Sequence, residues 1–233
     1  MKAILFDLDG TLLPMDQDLM IRDYITRFAR FMIPHGYDPE NFTKWLWTST
    51  GAMIQNQGEE TNDAVFWKYF SALSGKPFRC DEAVSLEFYE KDFQKIRDCC
   101  GFHPLAAETV SQLKEAGYMV ILATNPLFPA VATLSRIRWA GLSPEDFTWI
   151  TTYENASYCK PNLNYYREIL EKLDLKAGDC AMVGNDVEED MVAGELGMKT
   201  FLLTDCLINK YSRDISCYSH GGFPELLQWL REL

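Results

Sequence analysis

Carboxylate side chains follow two apolar segments of the sequence. Asp7 and Asp9 come directly after the run Ala-Ile-Leu-Phe at positions 3–6, and the Asp-Gly pair at positions 9 and 10 is a strong turn signal. Asp186 and Asp190 follow a second apolar run. Carboxylates at Asp7, Asp9 and Asp186 in one crevice would raise one another's pKa unless a cation lay between them. Oxygen ligands without histidine or thiolate favour a hard ion, and a small number of protein ligands favours Mg2+ over Ca2+.

Two further loops carry groups that suit a phosphate. Thr124 and Asn125 follow a third apolar run, and the Thr124 hydroxyl can donate to a phosphoryl oxygen. Pro126 suits the start of a helix, whose free N–H groups attract anions. Lys160 supplies the positive charge that the carboxylates lack. We therefore expect a phosphate substrate, with Thr124, Asn125 and Lys160 as candidate phosphoryl-binding residues.

The same carboxylates can also perform covalent chemistry. Asp7 can act as a nucleophile that forms an acyl phosphate and splits hydrolysis into two easier steps. Asp9 is then the nearest proton carrier, which protonates the leaving oxygen and later takes a proton from water. Asp186 and Asp190 lie four residues apart at a predicted helix start, so their side chains share a face. One of them could hold the metal while the other steadies Lys160.

An alternating pattern of helices and strands must position these loops. Residues 3–6 form a short apolar run, and four later runs of the same kind each follow a stretch with helical spacing. These later runs are residues 118–123, 147–151, 180–183 and 199–203. The pattern predicts an α/β fold with a doubly wound, Rossmann-like parallel sheet and helices on both faces. Ligands bind beyond the carboxyl ends of the strands in such a sheet.

Helical spacing dominates from about residue 17 to about residue 97. Breaks at residues 34–36, 57–59 and 74–77 divide this region into about four helices. We expect it to form a second, smaller, all-helical domain of residues 16–97, inserted into an α/β core of residues 1–15 and 98–233. Residues 205–222 look like a long loop before a last helix that starts near Pro224.

Composition excludes several classes of function. The chain has 233 residues and a formal net charge of -12, which would repel nucleic acid and anionic membrane surfaces. No apolar run is long enough to span a bilayer, and no signal peptide is recognisable at the start. Its seven cysteines include no Cys-x-x-Cys pair, and this pattern favours a reducing cytoplasm. The oligomeric state is left open.

Four sequence motifs resemble those of the haloacid dehalogenase-like (HAD) hydrolases, in particular their Mg2+-dependent phosphatases with a helical cap after the first strand. The motifs are FDLDGT at 6–11, ATN at 123–125, CKP at 159–161 and GNDVEED at 184–190. The resemblance implies that Asp7 is the nucleophile and that Asp9 is the general acid/base, with its backbone carbonyl also on Mg2+. It further implies Thr124 and Lys160 as phosphoryl ligands and Asp186 as a metal ligand. Asp190 would contact these ligands without binding the metal or the phosphoryl group itself. An acid at position 9 disfavours dehalogenation, because family dehalogenases lack it.

These observations together predict a cytoplasmic, Mg2+-dependent phosphatase that acts on a small phosphorylated metabolite through an aspartyl-phosphate on Asp7. A phosphomutase or phosphotransferase with the same aspartyl-phosphate chemistry is the first alternative. A binding protein that keeps the fold without turnover is the second.

The expected cap contains the residues that should choose the substrate. Its aromatic residues are interpreted as core and not as a substrate box. They are Trp45, Trp47, Phe66, Trp67, Tyr69 and Phe70. Several polar residues lie near the middle break, and no individual role is assigned to them. They are Lys44, Thr48, Thr50 and Gln55. Cys159 adjoins Lys160, and a nearby cation can lower the pKa of a thiol.

Overall fold

A six-stranded parallel sheet forms the centre of the computed structural model, which describes residues 1–233. The strands are β1 (Ala3–Phe6), β2 (Met119–Leu122), β3 (Trp149–Ile150), β4 (Cys180–Gly184), β5 (Lys199–Leu203) and β6 (Ser219–Gly221). Their spatial order is β3-β2-β1-β4-β5-β6, and every neighbouring pair is parallel. The predicted α/β class with a parallel, Rossmann-like sheet is confirmed.

Strand β1 lies in the middle of the sheet and is buried along its whole length. It reads as an uninterrupted apolar run because helices cover both faces of a parallel sheet. Phe6 is in register with Leu122 of β2 and Val183 of β4. The backbone N–H of Asp7 donates to the Val183 carbonyl at 2.9 Å. The residues that follow these three strands therefore meet at one edge of the sheet.

Eight α-helices surround or extend from the sheet. They are α1 (Gln17–Met32), α2 (Phe42–Ile54), α3 (Asn62–Ser74), α4 (Glu82–Glu90), α5 (Pro104–Glu115), α6 (Ala130–Trp139), α7 (Leu163–Lys172) and α8 (Phe223–Arg231). The first four lie between β1 and β2 in the chain, as expected, and a 3-10 helix at Asp92–Cys99 follows them. No helix combines the length and the hydropathy needed to cross a membrane.

Three local predictions are wrong. Ser219–Gly221 was expected in a loop, but it pairs with β5 as an edge strand; its sequence Ser-His-Gly carries no apolar signal. The helix after β2 starts at Ala130, with Pro129 at its N-cap, and not at Pro126. Residues 187–190 form turns followed by a 3-10 helix at Met191–Leu196 instead of an α-helix.

A local hydrogen-bond pattern explains the missing α-helix after β4. The Asp186 carboxylate accepts hydrogen bonds from the backbone N–H groups of Glu188 and Glu189, at 2.7 and 2.8 Å. Such side-chain bonds to nearby backbone offer the chain an alternative to a helical turn. The spacing of Asp186 and Asp190 therefore arises in a loop.

One continuous apolar cluster joins the helices 17–99 to the sheet. It contains Phe6 of β1, Phe28 of α1 and Trp139 of α6 among its 42 buried residues. The rings of Tyr24 and Phe128 lie 5.1 Å apart, centre to centre, across this contact. The division of the chain into a core of residues 1–15 and 98–233 and a cap of residues 16–97 stays a prediction.

Of the six aromatic residues expected in the core of the helical segment, Trp45 is half-buried, and the other five divide into two groups. Phe66, Trp67 and Phe70 are buried, in agreement with the prediction. Trp47 and Tyr69 are 50% and 47% exposed, so the prediction is wrong for them.

Candidate active site

A crevice of about 200 Å3 opens at the carboxyl ends of β1, β2 and β4. Most of the side chains singled out from the sequence line it. They are Asp7, Asp9, Thr124, Asn125, Asp186 and Asp190. Each of them directly follows a strand or lies in the loop after one, so the register of the sheet brings them together.

Lys160 lies beneath the crevice and joins two of its carboxylates. Its ammonium Nζ donates to Asp7 Oδ1 at 2.9 Å and to Asp190 Oδ1 at 2.6 Å. The Lys160 and Asp190 side chains are almost completely buried, and Asp7 is 10% exposed. Burial alone would lower the pKa of Lys160, but the Asp190 and Asp7 carboxylates hold it well above its ordinary value. Lys160 is therefore a fixed positive charge next to Asp7.

The loop after β1 is held closely against the loop after β4. The Thr11 hydroxyl donates to Asp7 Oδ2 at 3.3 Å and to Asn185 Oδ1 at 3.0 Å. Gly10 has a φ of +87°, and a Cβ atom there would lie 2.3 Å from Asn185 Nδ2. Glycine is required on both counts, because an L side chain is strained at this φ and has no room. The Asp-Gly turn thus directs Asp7 into the crevice.

Thr124 is positioned through its backbone. Its carbonyl accepts hydrogen bonds from the Thr151 hydroxyl at 2.7 Å and from the Tyr165 hydroxyl at 2.9 Å. The neighbouring Asn125 donates through Nδ2 to Glu189 Oε2 at 3.0 Å, while its own Oδ1 is buried without a partner. Burial raises the pKa of Glu189 to about 8.

Asp9 is paired with a residue that the sequence analysis did not single out. Nη1 of Arg136, on α6, forms a buried ion pair with Asp9 Oδ2. The Arg136 side chain is 1% exposed, and its guanidinium also lies over the Phe128 ring, 4.5 Å from the ring centre. Burial raises the pKa of Asp9, and the positive charge of Arg136 opposes this rise. The other oxygen, Asp9 Oδ1, is buried without a hydrogen-bond partner.

Sequence reasoning missed four residues of this site: Arg136, Glu189, Asn185 and Gln17. The Gln17 side chain donates to the Asp9 carbonyl at 2.9 Å. Arg136 could have been noticed because it shares a helix face with Ala132, Thr133 and Ala140, where a charge is unusual. Asn185 and Glu189 lie within the motif GNDVEED, in which the sequence analysis assigned roles only to Asp186 and Asp190. Gln17 carries no comparable signal.

The crevice has some features of a Mg2+ site, but its protein side chains do not form a complete set of metal ligands. No three acidic, histidine or cysteine side chains are gathered closely enough to hold a metal by themselves. The side chains of Asp7, Asp9 and Asp186 nevertheless offer only oxygen atoms to the crevice. Mg2+ keeps several waters and binds through few carboxylates plus substrate phosphate, so an incomplete set of protein ligands fits this ion.

Comparison with known proteins identifies the family. The family described as haloacid dehalogenase-like hydrolase matches residues 1–196 of this chain. The chain belongs to the haloacid dehalogenase-like hydrolases. The match extends from β1 to the 3-10 helix before β5 and so includes every residue of the crevice. The protein is therefore an enzyme of the hydrolase class, as the motifs implied.

Two relatives are phosphatases by name. Pyrophosphatase PpaX from Bacillus velezensis is 24% identical over 198 residues, which cover 85% of this chain and 81% of that protein. Ribulose-1,5-bisphosphate 5-phosphatase from Halopiger xanaduensis is 24% identical over 205 residues, which cover 86% of this chain and 83% of that protein.

Solved structures share the fold. A 2-haloacid dehalogenase from Pseudomonas syringae pv. tomato has a TM-score of 0.66 at 18% identity, covering 100% of this chain and 99% of its own. The HAD-hydrolase YfnB from Bacillus subtilis, bound to magnesium, has a TM-score of 0.57 at 18% identity, covering 98% of each chain. These similarities establish the same HAD architecture around β1.

Proposed function

We propose that this protein is a Mg2+-dependent phosphatase that hydrolyses the monoester of a small phosphorylated metabolite in the cytoplasm, through an aspartyl-phosphate on Asp7. The observation that carries the proposal is the buried Lys160 ammonium between Asp7 and Asp190, at 2.9 and 2.6 Å. It keeps a carboxylate oxygen of Asp7 next to a fixed positive charge, at the place where an anionic phosphoryl group would arrive. The phosphatase relatives support the same reaction class.

In the first step, an Asp7 carboxylate oxygen attacks phosphorus and the ester oxygen leaves. The leaving oxygen needs a proton, and Asp9 is the acid that lines the same crevice. Asp9 Oδ2 is occupied by Arg136, whereas Oδ1 has no partner. Oδ1 is therefore the atom that carries the proton. In the second step the same atom takes a proton from the water that hydrolyses the acyl phosphate, which restores Asp7.

The transferred phosphoryl group would be bound by Lys160, Thr124 and Asn125. Lys160 Nζ contributes charge from below, and the Thr124 hydroxyl is presented by a backbone that Thr151 and Tyr165 hold in place. Asn125 would contribute its amide group, which in this structure donates to Glu189. Asp190 acts through Lys160, because its contact with Nζ fixes the position of the ammonium group.

In this proposal the Mg2+ ion would be held by the carboxylates of Asp7 and Asp186 and by the backbone carbonyl of Asp9. When bound, the ion supplies positive charge that offsets the repulsion between these carboxylates and the incoming phosphate. The solved structure of YfnB, which shares the fold, contains magnesium.

Phosphate release from a panel of metabolite monoesters tests the proposal. The panel is assayed with Mg2+ and with EDTA, on the wild-type protein and on Asp7→Asn. We expect release that requires both Mg2+ and Asp7. Equal turnover by Asp7→Asn would rule out the nucleophile, and formation of an isomeric phosphate ester instead of free phosphate would identify a phosphomutase.

A further inference from the structure

A second pocket, of about 80 Å3, adjoins the catalytic crevice, and it is almost entirely apolar. Helices α1 to α4 form most of its wall, and residues from the loops after β2 and β3 close it. The aromatic part of the wall consists of Tyr24, Trp47, Phe66, Tyr89, Phe128 and Tyr153. The helical segment therefore presents an apolar surface toward the sheet instead of filling this space with side chains.

The pocket is continuous with the crevice. Ile21, Leu127 and Phe128 line both spaces. A phosphoryl group next to Asp7 would thus have its ester substituent directed along these three side chains. The pocket is where the part of the substrate that is not phosphate can be buried.

The polar groups that line the pocket are all neutral, and they belong to Tyr24, Trp47, Thr50, Ser85, Tyr89 and Tyr153. The hydroxyls of Tyr24 and Tyr89 are 2.8 Å apart and hydrogen-bond to each other. The Thr50 hydroxyl donates to the Leu46 carbonyl within its own helix, at 2.9 Å. No lysine, arginine or histidine lines the pocket or the crevice.

The two cations beneath the crevice are already paired. Lys160 contacts Asp7 and Asp190, and Arg136 contacts Asp9. An anionic group elsewhere in the substrate would be moved out of water without a positive partner and would face several carboxylates. Such a transfer is strongly unfavourable.

We infer that the leaving group of the substrate is uncharged and apolar, and that it occupies this pocket. The inference rests on the proposed phosphatase function and specifies the class of its substrate: the phosphate monoester of a small apolar alcohol. Cavities of about 150 Å3 lined by Leu, Ile and Phe hold benzene. A pocket of about 80 Å3 suits a smaller group, on the order of three carbon atoms. Pyrophosphate and bisphosphates, which the names of the two relatives mention, would leave an anionic group there.

Two esters of equal size test the inference. 3-Methylbutyl phosphate ends in a CH(CH3)2 group, and 3-phosphonooxypropanoate ends in a carboxylate with the same number of non-hydrogen atoms. Methyl phosphate, which is too short to reach the pocket, reports on the catalytic groups alone. With Mg2+ present, we expect kcat/KM for 3-methylbutyl phosphate to exceed that for 3-phosphonooxypropanoate by about 100-fold or more.

A pair of variants on α2 tests the location. Thr50 is half-buried and lines the pocket, whereas Thr48 is exposed and does not; both hydroxyls donate to the carbonyl four residues earlier. Thr50→Lys places a cation on the pocket wall and should reduce the preference about tenfold. Thr48→Lys changes the net charge equally and should leave the preference unchanged.

The possible failures are distinguishable. Equal or faster hydrolysis of the carboxylate ester, with methyl phosphate also hydrolysed, would overturn the inference and leave the phosphatase intact. A preference that responds equally to both lysine variants would overturn the placement of the leaving group. Phosphate release from the metabolite panel but from none of the three esters would overturn this substrate class alone. Release from no ester at all, or release that persists in Asp7→Asn, would overturn the proposed function and this substrate class with it.

Discussion

Arg136 Nη1 pairs with Asp9 Oδ2, which joins helix α6 to the loop after β1 in the interior of the protein. The Arg136 guanidinium is further held by the Thr133 hydroxyl, which accepts from Nη2 at 3.3 Å. Because one carboxylate oxygen is occupied and the other has no partner, the pair fixes which side of Asp9 faces a substrate.

Removal of both members of this pair should cost less stability than the sum of the two single removals. Arg136→Met leaves the Asp9 carboxylate buried without a counter-charge, and we expect a loss of about 3 kcal/mol in the free energy of unfolding. The double variant Arg136→Met/Asp9→Asn should recover about 1 kcal/mol or more of the summed losses. Urea unfolding of the wild type, both single variants and the double variant measures this coupling. Purely additive losses would contradict a direct interaction.

Gly184→Ala should displace Asp190 from Lys160. A Cβ atom at Gly184 would lie 2.1 Å from Asp190 Oδ2, on the buried strand β4. We expect a loss of about 2 kcal/mol in stability, the range for an overpacked interior, together with a fall in kcat. Gly178→Ala is the matched control, since a Cβ atom there has nothing within 4 Å. A Gly184→Ala protein as stable and active as Gly178→Ala would contradict the close contact.

The ion pair between Lys76 and Asp81 should stabilise the protein in a pH-dependent way. Burial alone would raise the pKa of Asp81, but hydrogen bonds from Lys76 and Tyr37 hold it below its ordinary value. An acid with a lowered folded pKa adds stability above its unfolded pKa, near 3.8, and loses that contribution as the pH falls through the folded pKa. Lys76→Met should therefore be less stable than wild type by about 1 kcal/mol at pH 7. The difference should shrink below about pH 4.

Urea unfolding at pH 7, 5 and 3 measures this effect. Lys91→Met is the control. Lys91 pairs with Glu87 on an exposed helix face, where solvent screens the charges, so its loss of stability should be smaller than that of Lys76→Met. A Lys76→Met deficit that is constant across these pH values would contradict the titration of Asp81.

Cys159 should be unreactive in the native protein. The sequence suggested a thiol activated by Lys160, but the structure shows the opposite: burial raises the pKa of Cys159. Its Sγ accepts from Asn62 Nδ2 at 3.3 Å. Cys80 and Cys217 are exposed. In a thiol-reagent assay at pH 8, Cys159→Ser should leave the number of rapidly labelled thiols unchanged, whereas Cys217→Ser should lower it by one. Loss of a rapidly labelled thiol in Cys159→Ser would show that the reagent reaches Cys159 in the native protein.

The sequence predicts the parts of the protein where one local signal determines the structure. Strands buried on both faces appear as continuous apolar runs, as at Ala3–Phe6, and the loops after them could be located from those runs. The strand Ser219–Gly221 was not predicted, because a short, exposed edge strand has no such apolar run. The Asp9–Arg136 pair joins residues 127 positions apart, and an arginine in a helix is usually exposed. The apolar pocket could not be predicted from the sequence either, because its walls come from separate helices and loops.

The central position of β1 also bears on how the chain is made. Ala3 pairs with Met119 of β2 on one side and with Cys180 of β4 on the other. During synthesis from the N-terminus, the strand that carries Asp7 therefore keeps an open edge until the β4 segment has emerged from the ribosome. Pairings between such distant segments form late and leave strand edges exposed to aggregation meanwhile. Asp7, the proposed nucleophile, is translated before both of the strands that flank β1, so its surroundings are completed only after the β4 segment has followed.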